Sequence, residues 1–300
     1  MRIVVAGASG FLGTHLRRRL TDAGHEVVSL VRRPAADATQ IQWAPDRREL
    51  DASALAGADA VVNLAGAGVS DRRWSTAYKE KIRTSRVDTT ATLATTIAEL
   101  PVRQRPAVMM NSSGVHFYGD TGETPVDEDS PSGTGFLPDT CRLWEAATRP
   151  ASDAGVRVVL LRTGLPLDAS GGLLKPMLFP FRAFLGGRLG SGRQWMPWIS
   201  MGDWLDATRF LLDHDEVSGP VNLVGPAPVR NDEFTRTLAG LLHRPVMLPV
   251  PRFALRIAIG GFADDALASL RVLPGILNRA GFAFRQPDLT SALRTALHLR

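Results

Sequence analysis

Met1-Arg-Ile-Val-Val-Ala-Gly7-Ala-Ser9-Gly10-Phe11-Leu12-Gly13 opens the chain, and its reading decides the fold. Arg2–Ala6 is a short β-branched run of the kind that makes a buried strand, and a glycine breaks it. From about Phe11 to Ala23 the apolar residues recur at helical spacing until Gly24 stops them. Between strand and helix stand three glycines spaced GxxGxxG, a variant of the dinucleotide fingerprint. Such glycines permit a tight turn, let backbone N–H groups approach a pyrophosphate, and let the helix pack close to the strand. The helix N-terminus adds free donors and the positive end of its dipole. The expected ligand is a dinucleotide held at Gly7, Ser9, Gly10, Phe11, Leu12 and Gly13.

The next strand, Glu26–Val31, selects the coenzyme. NAD-binding domains usually place an acid at its end, where it bonds the ribose 2′-hydroxyl. Here the strand ends Leu30-Val31-Arg32-Arg33-Pro34, with no acid before Asp37. Two guanidiniums suit a 2′-phosphate, which arginine binds bidentately, so the pair predicts NADP(H) in preference to NAD(H). Beyond it the pattern continues with a weak strand near 41–43, a short helix near 53–55, a strand over 60–64, a helix over 75–99 that stops before Pro101, a strand over 107–111, a helix over 137–154 and a strand over 157–161. This alternation predicts an α/β fold, a Rossmann-type doubly wound parallel sheet. Residues 166–200 are rich in Gly, Pro, Phe and Trp and read as loops with one short helix. A helix over 203–213 and a strand over 220–224 follow, the strand placed to return to the sheet. From Asn231 the chain reads as mostly helical, with a turn at Pro245–Pro251. The expected division is a dinucleotide-binding domain over 1–165, rejoined by a helix and strand at about 203–225, and a smaller, mostly helical substrate lobe over 166–300.

Composition narrows the function. A 44% apolar and 22% charged chain is that of an ordinary soluble globule. The single cysteine, Cys141, rules out an internal disulfide and multi-cysteine metal sites, which suits the cytoplasm. The opening apolar run is too short for an export signal, and no stretch reaches the roughly 20 apolar residues of a membrane span. The net charge of +5 is almost wholly arginine, scattered without interleaved aromatics, so no nucleic-acid groove is expected. Six histidines show neither HxH nor HExxH spacing, so no metal is expected.

Gly7–Gly13, the strand end Asn63-Leu64-Ala65-Gly66, and Ser112-Ser113 ahead of Tyr118-Gly119-Asp120 resemble an extended short-chain dehydrogenase/reductase. The string Gly190-Ser-Gly-Arg-Gln-Trp-Met-Pro-Trp198-Ile199-Ser200-Met-Gly-Asp203 is similar to that superfamily's substrate-domain segment. Closer still is its atypical branch of epimerase family proteins, the SulA-like nucleoside-diphosphate sugar epimerases. Arg83-Thr-Ser-Arg86, Trp144-Glu145, Arg162-Thr-Gly164, Pro228-Val-Arg-Asn231, Val272-Leu-Pro-Gly275 and Ala280–Leu289 carry that likeness, the last two in the branch's own C-terminal extension. The resemblance spans essentially the whole chain. It implies cofactor contacts at Gly7–Gly13, Arg32, Arg33, Leu64, Ala65, Gly66, Arg86, Ser112 and Leu165, with Ser113 near the nicotinamide.

It also exposes a gap. The superfamily moves a proton with a Tyr whose pKa is lowered by a Lys four residues on. Ile82 stands four residues after Tyr78 and Gly122 four after Tyr118, so no such pair exists, and counting back from Trp144-Glu145 puts Leu137 and Cys141 at the expected positions. The resemblance implies that the branch shares this loss. Substitutes are Ser113, Cys141 and Tyr118, with His116 and Glu145 as further candidates. Each also has a structural reading: Cys141 as a small buried residue, Tyr118 packed with its hydroxyl on backbone, His116 in a partly exposed loop, Glu145 as an ion partner. The acids at 120, 123 and 127–129 read as a solvated loop. Where extended members often carry Trp-Ile-His-x-Asp-Asp, this chain has Ser200 and Gly202. Phe179, Phe181, Phe184, Trp195 and Trp198 could line a substrate cleft or pack the small lobe.

Two functions compete. One is an NADP(H)-dependent oxidoreductase or epimerase acting on a small carbonyl or sugar-like substrate with non-standard acid/base groups. The other is a catalytically silent NADPH-binding sensor or scaffold, motivated by the missing pair. The chain could pair as a homodimer.

Overall fold

Alternating runs of Val, Ile, Leu and Met build the strands, and glycine- or proline-bounded amphipathic stretches build the helices between them. The structure is a computed structural model that describes residues 1–247 and 249–299. Its strands are β1 (Arg2–Ala6), β2 (Glu26–Val31), β3 (Gln40–Gln42), β4 (Ala60–Asn63), β5 (Val108–Gly114), β6 (Arg157–Thr163), β7 (Leu165–Leu167), β8 (Trp195–Met196), β9 (Trp198–Ser200), β10 (Gly219–Leu223) and β11 (Val229–Arg230). The helices are α1 (Phe11–Asp22), α2 (Thr76–Glu99), α3 (Phe136–Ala146), α4 (Arg149–Asp153), α5 (Leu174–Arg182), α6 (Met201–Asp213), α7 (Asn231–Leu241), α8 (Arg252–Ile259), α9 (Phe262–Ala266), α10 (Gly275–Arg279) and α11 (Leu289–Ala296).

Seven strands form one parallel sheet in the order β10-β6-β5-β4-β1-β2-β3. This is the doubly wound Rossmann arrangement that the sequence predicts. Its order reverses between β1 and β4. One face buries Ile3, Val5, Val62, Met110 and Leu161 with Leu16 and Leu20 of α1 and Trp204 of α6. The other buries Val4, Val28, Val61 and Met109 against Leu93 and Ile97 of α2. A third core joins Leu167, Phe181, Trp198, Phe234 and Leu293 in the C-terminal part.

Three expectations need correction. The span 166–200 is not loop with one helix: β7 and β9 pair in parallel and β8 pairs antiparallel to β11. These strands have two or three residues, too few for alternation to register in the sequence. The helix expected over 137–154 ends at Ala146 and restarts at Arg149. Pro150 explains the break, because it lacks an N–H and its ring collides with the carbonyl four residues back. The acidic run is not uniformly solvated. Glu128 is buried, accepting from the N–H groups of Asn222 (2.9 Å) and Ile276 (3.1 Å), and Glu123 pairs with Arg230 at 2.8 Å. Among the aromatics, Phe181 and Trp198 are core, while Phe179 and Phe184 are exposed.

The C-terminal residues are stitched to the body rather than hung from it. Val126 and Val272 form a parallel bridge, and the Thr121 N–H donates to the Ser269 carbonyl (2.8 Å). Ser200 caps α6 by accepting from the Asp203 N–H (2.9 Å). The buried Asp203 carboxylate then accepts from the N–H groups of Arg285 (2.7 Å) and Gln286 (3.0 Å), clamping the extension to α6. Asp203→Ala removes the buried acceptor of both partly buried donors, which should destabilise the fold by roughly 1–3 kcal/mol in a urea titration, while Asp203→Asn should lose less. A loss below ~0.5 kcal/mol for the alanine variant would show that the clamp is unimportant.

Candidate active site

The carboxyl ends of the strands converge at the β1/β4 reversal, where open α/β sheets bind ligands. Gly7 has φ +79°, and a Cβ there would stand 2.6 Å from the Leu64 carbonyl carbon. A Cβ on Gly13 would collide with the Gly7 carbonyl oxygen, so α1 is pressed equally close. Gly10 caps α1 without a side-chain bond, and no acid stands in the first turn. The helix therefore keeps its N-terminal donors and positive end for a ligand. Ser9 and Gly10 are exposed and Leu12 is half-buried, whereas the Phe11 ring lies where side chains on Gly171 and Gly172 would be. Past β2, Arg32 and Arg33 are exposed, and Arg33 donates to the Pro34 carbonyl at 3.1 Å.

A buried amide and hydroxyl network holds the β4 exit. Asn63 Nδ2 donates to Thr90 Oγ1 (2.9 Å) and Asn111 Oδ1 (2.8 Å), and Asn63 Oδ1 accepts from the Ala65 N–H (3.1 Å). Trp144 Nε1 donates to the same Thr90 hydroxyl at 2.9 Å. Leu64, Ala65 and Gly66 are thus fixed beside Gly7. Arg86 turns inward, donating to the carbonyls of Ala67 (2.8 Å) and Ile82 (3.0 Å) with its guanidinium 4.9 Å from the Trp144 ring; burial holds its pKa down. Ser112 is buried, its carbonyl accepting from Asn111 Nδ2, and Leu165 donates its N–H to the Pro197 carbonyl (2.7 Å).

At the β5 exit the proposed proton donors are already engaged. Ser113 Oγ donates to Glu145 Oε1 at 2.6 Å. Glu145 also accepts from Arg162 Nε and Nη2, both at 2.9 Å, in a fork between nearly buried side chains. Arg162 Nη1 donates to the Tyr118 hydroxyl (3.0 Å), which in turn donates to Asn222 Oδ1 (2.8 Å). The Tyr118 partners are therefore side chains and not backbone, because β10 brings Asn222 across from the adjacent edge of the sheet. Burial pushes the Tyr118 phenol up to about 12. Cys141 is buried with its thiol toward the Gly114 carbonyl at 3.7 Å, and burial, aided by the Glu145 charge, pushes it up to about 11. Leu137 is buried one turn before it on α3.

Arg162, Asn222 and the Asn63–Thr90–Asn111 network were not singled out as site residues. Only Arg162 left a signal, a cation directly after the apolar run Val158–Leu161 that needs a buried partner. His116 and Asp265 both face a depression of about 270 Å³ beside the β5 exit. Burial, with Arg86 nearby, drops the His116 pKa to about 4; burial raises Asp265 to about 6 against the opposing pull of Lys79. Among the described residues no three His, Cys, Asp or Glu side chains are grouped to hold a metal, and no helix is long and apolar enough to cross a membrane.

Residues 3–141 match the family described as NAD dependent epimerase/dehydratase, and residues 250–296 match a domain of unknown function, DUF1731. An epimerase family protein of Mycobacterium bovis is 44% identical over 292 residues, covering 97% of this chain and 96% of its own. The crystal structure of the human epimerase family protein SDR39U1 with NADPH superposes with a TM-score of 0.91 at 34% identity, over all of both chains. A nucleoside-diphosphate sugar epimerase from Corynebacterium glutamicum superposes with a TM-score of 0.82 at 34% identity, over 99% of this chain and 58% of the other.

Glu145→Ala strands the buried Arg162 charge and frees the Ser113 hydroxyl. The loss in urea should be roughly 3–5 kcal/mol, and Arg162→Leu added to it should recover part of the stability because the unpaired charge is gone. A double variant no more stable than the single one would contradict this account.

Proposed function

The chain belongs to the epimerase family, within the extended short-chain dehydrogenases/reductases, and from that premise we propose that it is an NADP(H)-dependent oxidoreductase or epimerase acting on a small carbonyl or sugar-like substrate in the cytoplasm. The observation that carries this is the uncapped, acid-free α1 N-terminus behind Gly7, flanked by two exposed arginines. The residues present fit the coenzyme. The α1 turn offers amide donors to a pyrophosphate, Arg32 and Arg33 offer a fork to a 2′-phosphate, and Leu64, Ala65 and Gly66 form the adenosine side. Ser112, Ser113, Arg86 and Leu165 border the nicotinamide end. Bound NADPH supplies hydride; the chain's part is to orient, to exclude water and to provide a proton. The NADPH in the human relative supports this choice of coenzyme.

A specific observation also favours the sensor reading: the side-chain hydrogens of Ser113, Cys141 and Tyr118 are all directed at protein acceptors. Turnover separates the two. A sensor binds NADPH tightly and oxidises none with any carbonyl offered.

In a titration of intrinsic tryptophan fluorescence, wild-type protein should bind NADPH more tightly than NADH. Arg32→Ala combined with Arg33→Ala should weaken NADPH by about 10–100-fold, as the loss of charge-assisted phosphate contacts implies, and leave NADH unchanged. Equal weakening of both coenzymes would remove the 2′-phosphate from the argument; no binding of either would overturn the function.

A further inference from the structure

We propose that the depression where the β5 exit meets α3, α8 and α9 is the substrate subsite, with Asp265 of the C-terminal extension as proton donor and His116 facing it; this rests on the oxidoreductase reading above. The case begins with hydrogen-bond direction. Ser113, Tyr118 and Cys141 point their hydrogens at Glu145, Asn222 and the Gly114 carbonyl, so none is free to protonate a substrate oxygen. Among the described residues the His116 ring and the Asp265 carboxyl are hydrogen-bonded to no other side chain, and both line the same depression. Both groups are half-buried and, with no side chain bonded to them, keep hydrogen-bonding capacity to offer a ligand in that depression.

Position agrees with this role. His116 follows Ser113 by three residues at the end of β5, and its pKa responds to Arg86, the residue that also acts on the Cys141 thiol. Asp265 arrives from the opposite direction. Its helix α9 is seated by Phe262 on Trp74, ring centroids 5.6 Å apart, and Trp74 meets Phe136 of α3 at 5.1 Å. Lys79 lies over the Trp74 and Phe136 rings at 5.2 and 5.1 Å and pulls on Asp265.

The subsite also limits its occupant. At about 270 Å³ the depression lies just under the range of roughly 300–1,000 Å³ typical of drug-sized ligand sites, a size that suits a small occupant. Arg252 is the one cation among the described residues that line it, and Asp264 accepts from its Nε (3.0 Å) and Nη2 (2.7 Å), which disfavours an anionic occupant. Asp120 and Thr134 complete a wall of acceptors and hydroxyls. The matching class is a small uncharged hydroxycarbonyl compound.

In the reduction, hydride ends on the carbonyl carbon and the C=O π pair moves onto oxygen. That oxygen takes the Asp265 proton, giving an alcohol and an Asp265 carboxylate. Lys79 steadies the anion, and water at the mouth of the depression returns the proton. The charged and titratable groups around Asp265 are Lys79 of α2 and Asp264 of α9, which act on its charge, and Arg252 of α8, Asp120 and His116, which line the same depression. Burial raises the Asp265 carboxyl, Lys79 opposes the rise, and Asp264 adds to it, leaving about 6. The donor form is lost as pH rises through that value.

Glyceraldehyde and erythrose serve as probes for full-length protein. By ¹³C NMR, either should shift the Asp265 carboxyl carbon and the His116 ring saturably, with or without NADPH. With NADPH, their reduction should decline above about pH 6. Asp265→Asn should slow it about 10²–10³-fold and abolish that decline, with NADPH affinity and thermal midpoint unchanged. An Asp265 resonance that ignores both probes overturns the proposal, as does an Asp265→Asn enzyme with wild-type rate, or NADPH binding with no reduction of either probe. Failure to bind NADPH instead sinks the function proposed above, and the NMR result then stands alone on the subsite.

Discussion

Everything at the ligand-binding edge depends on one close approach, that of the Gly7 backbone to Leu64 and Ala65. No side chain fits between them, and Gly13 tolerates none against Gly7. The β1 and β4 exits and the first turn of α1 therefore act as a single rigid piece. Rigidity there matters because the α1 amides can hold a diphosphate only if they need not rearrange to meet it. The Asn63–Thr90–Asn111 network extends the same piece to β5 and, through Trp144, to α3. A coenzyme on this edge would thus rest on a frame built independently of it.

The other end of the cleft is held by charge. Glu145 stands one turn beyond Cys141 on the helix that carries the tyrosine and lysine in related enzymes. It accepts from Ser113 and from two Arg162 nitrogens. A buried fork of this kind contributes little to net stability but is costly to break. Its effect here is directional: the Ser113 hydroxyl keeps only lone pairs to offer, so it can receive a hydrogen bond but not give one. From Tyr118 the chain of bonds continues through Asn222 to the Leu273 carbonyl, and Glu128 adds the Ile276 N–H. The C-terminal extension is therefore joined to this end of the cleft by polar contacts.

The parts legible in the sequence were those set by local pattern. β1, β2 and the glycine turn follow from periodicity and from residues with one physical use, and their limits of Arg2–Ala6 and Glu26–Val31 agree with the structure. β7, β8 and β9 were not legible, because two or three residues carry no period and their pairing is decided by distant partners. Glu128 looked like its acidic neighbours, since only the arrival of β10 and Ile276 makes it a buried acceptor. Tyr118 misled for the same reason: its partner lies 104 residues away. Asp265 carried no local mark at all, being one of two adjacent aspartates on a short helix whose neighbours come from α2 and α3.

If Asp265 is the proton donor proposed above, losing the tyrosine and lysine need not silence the fold. Protonating a carbonyl oxygen requires an acid near the operating pH, placed within reach and shielded from bulk water; the residue type is secondary. A phenol meets this requirement only with a cation to lower its pKa, whereas a carboxyl meets it through burial, which moves its pKa the opposite way. The aromatic seat of Trp74, Phe136 and Phe262 provides the burial, and Lys79 limits the rise so that the acid still releases its proton. The Asp203 clamp and the Glu128–Ile276 contact hold the later part of the same extension to the body of the fold.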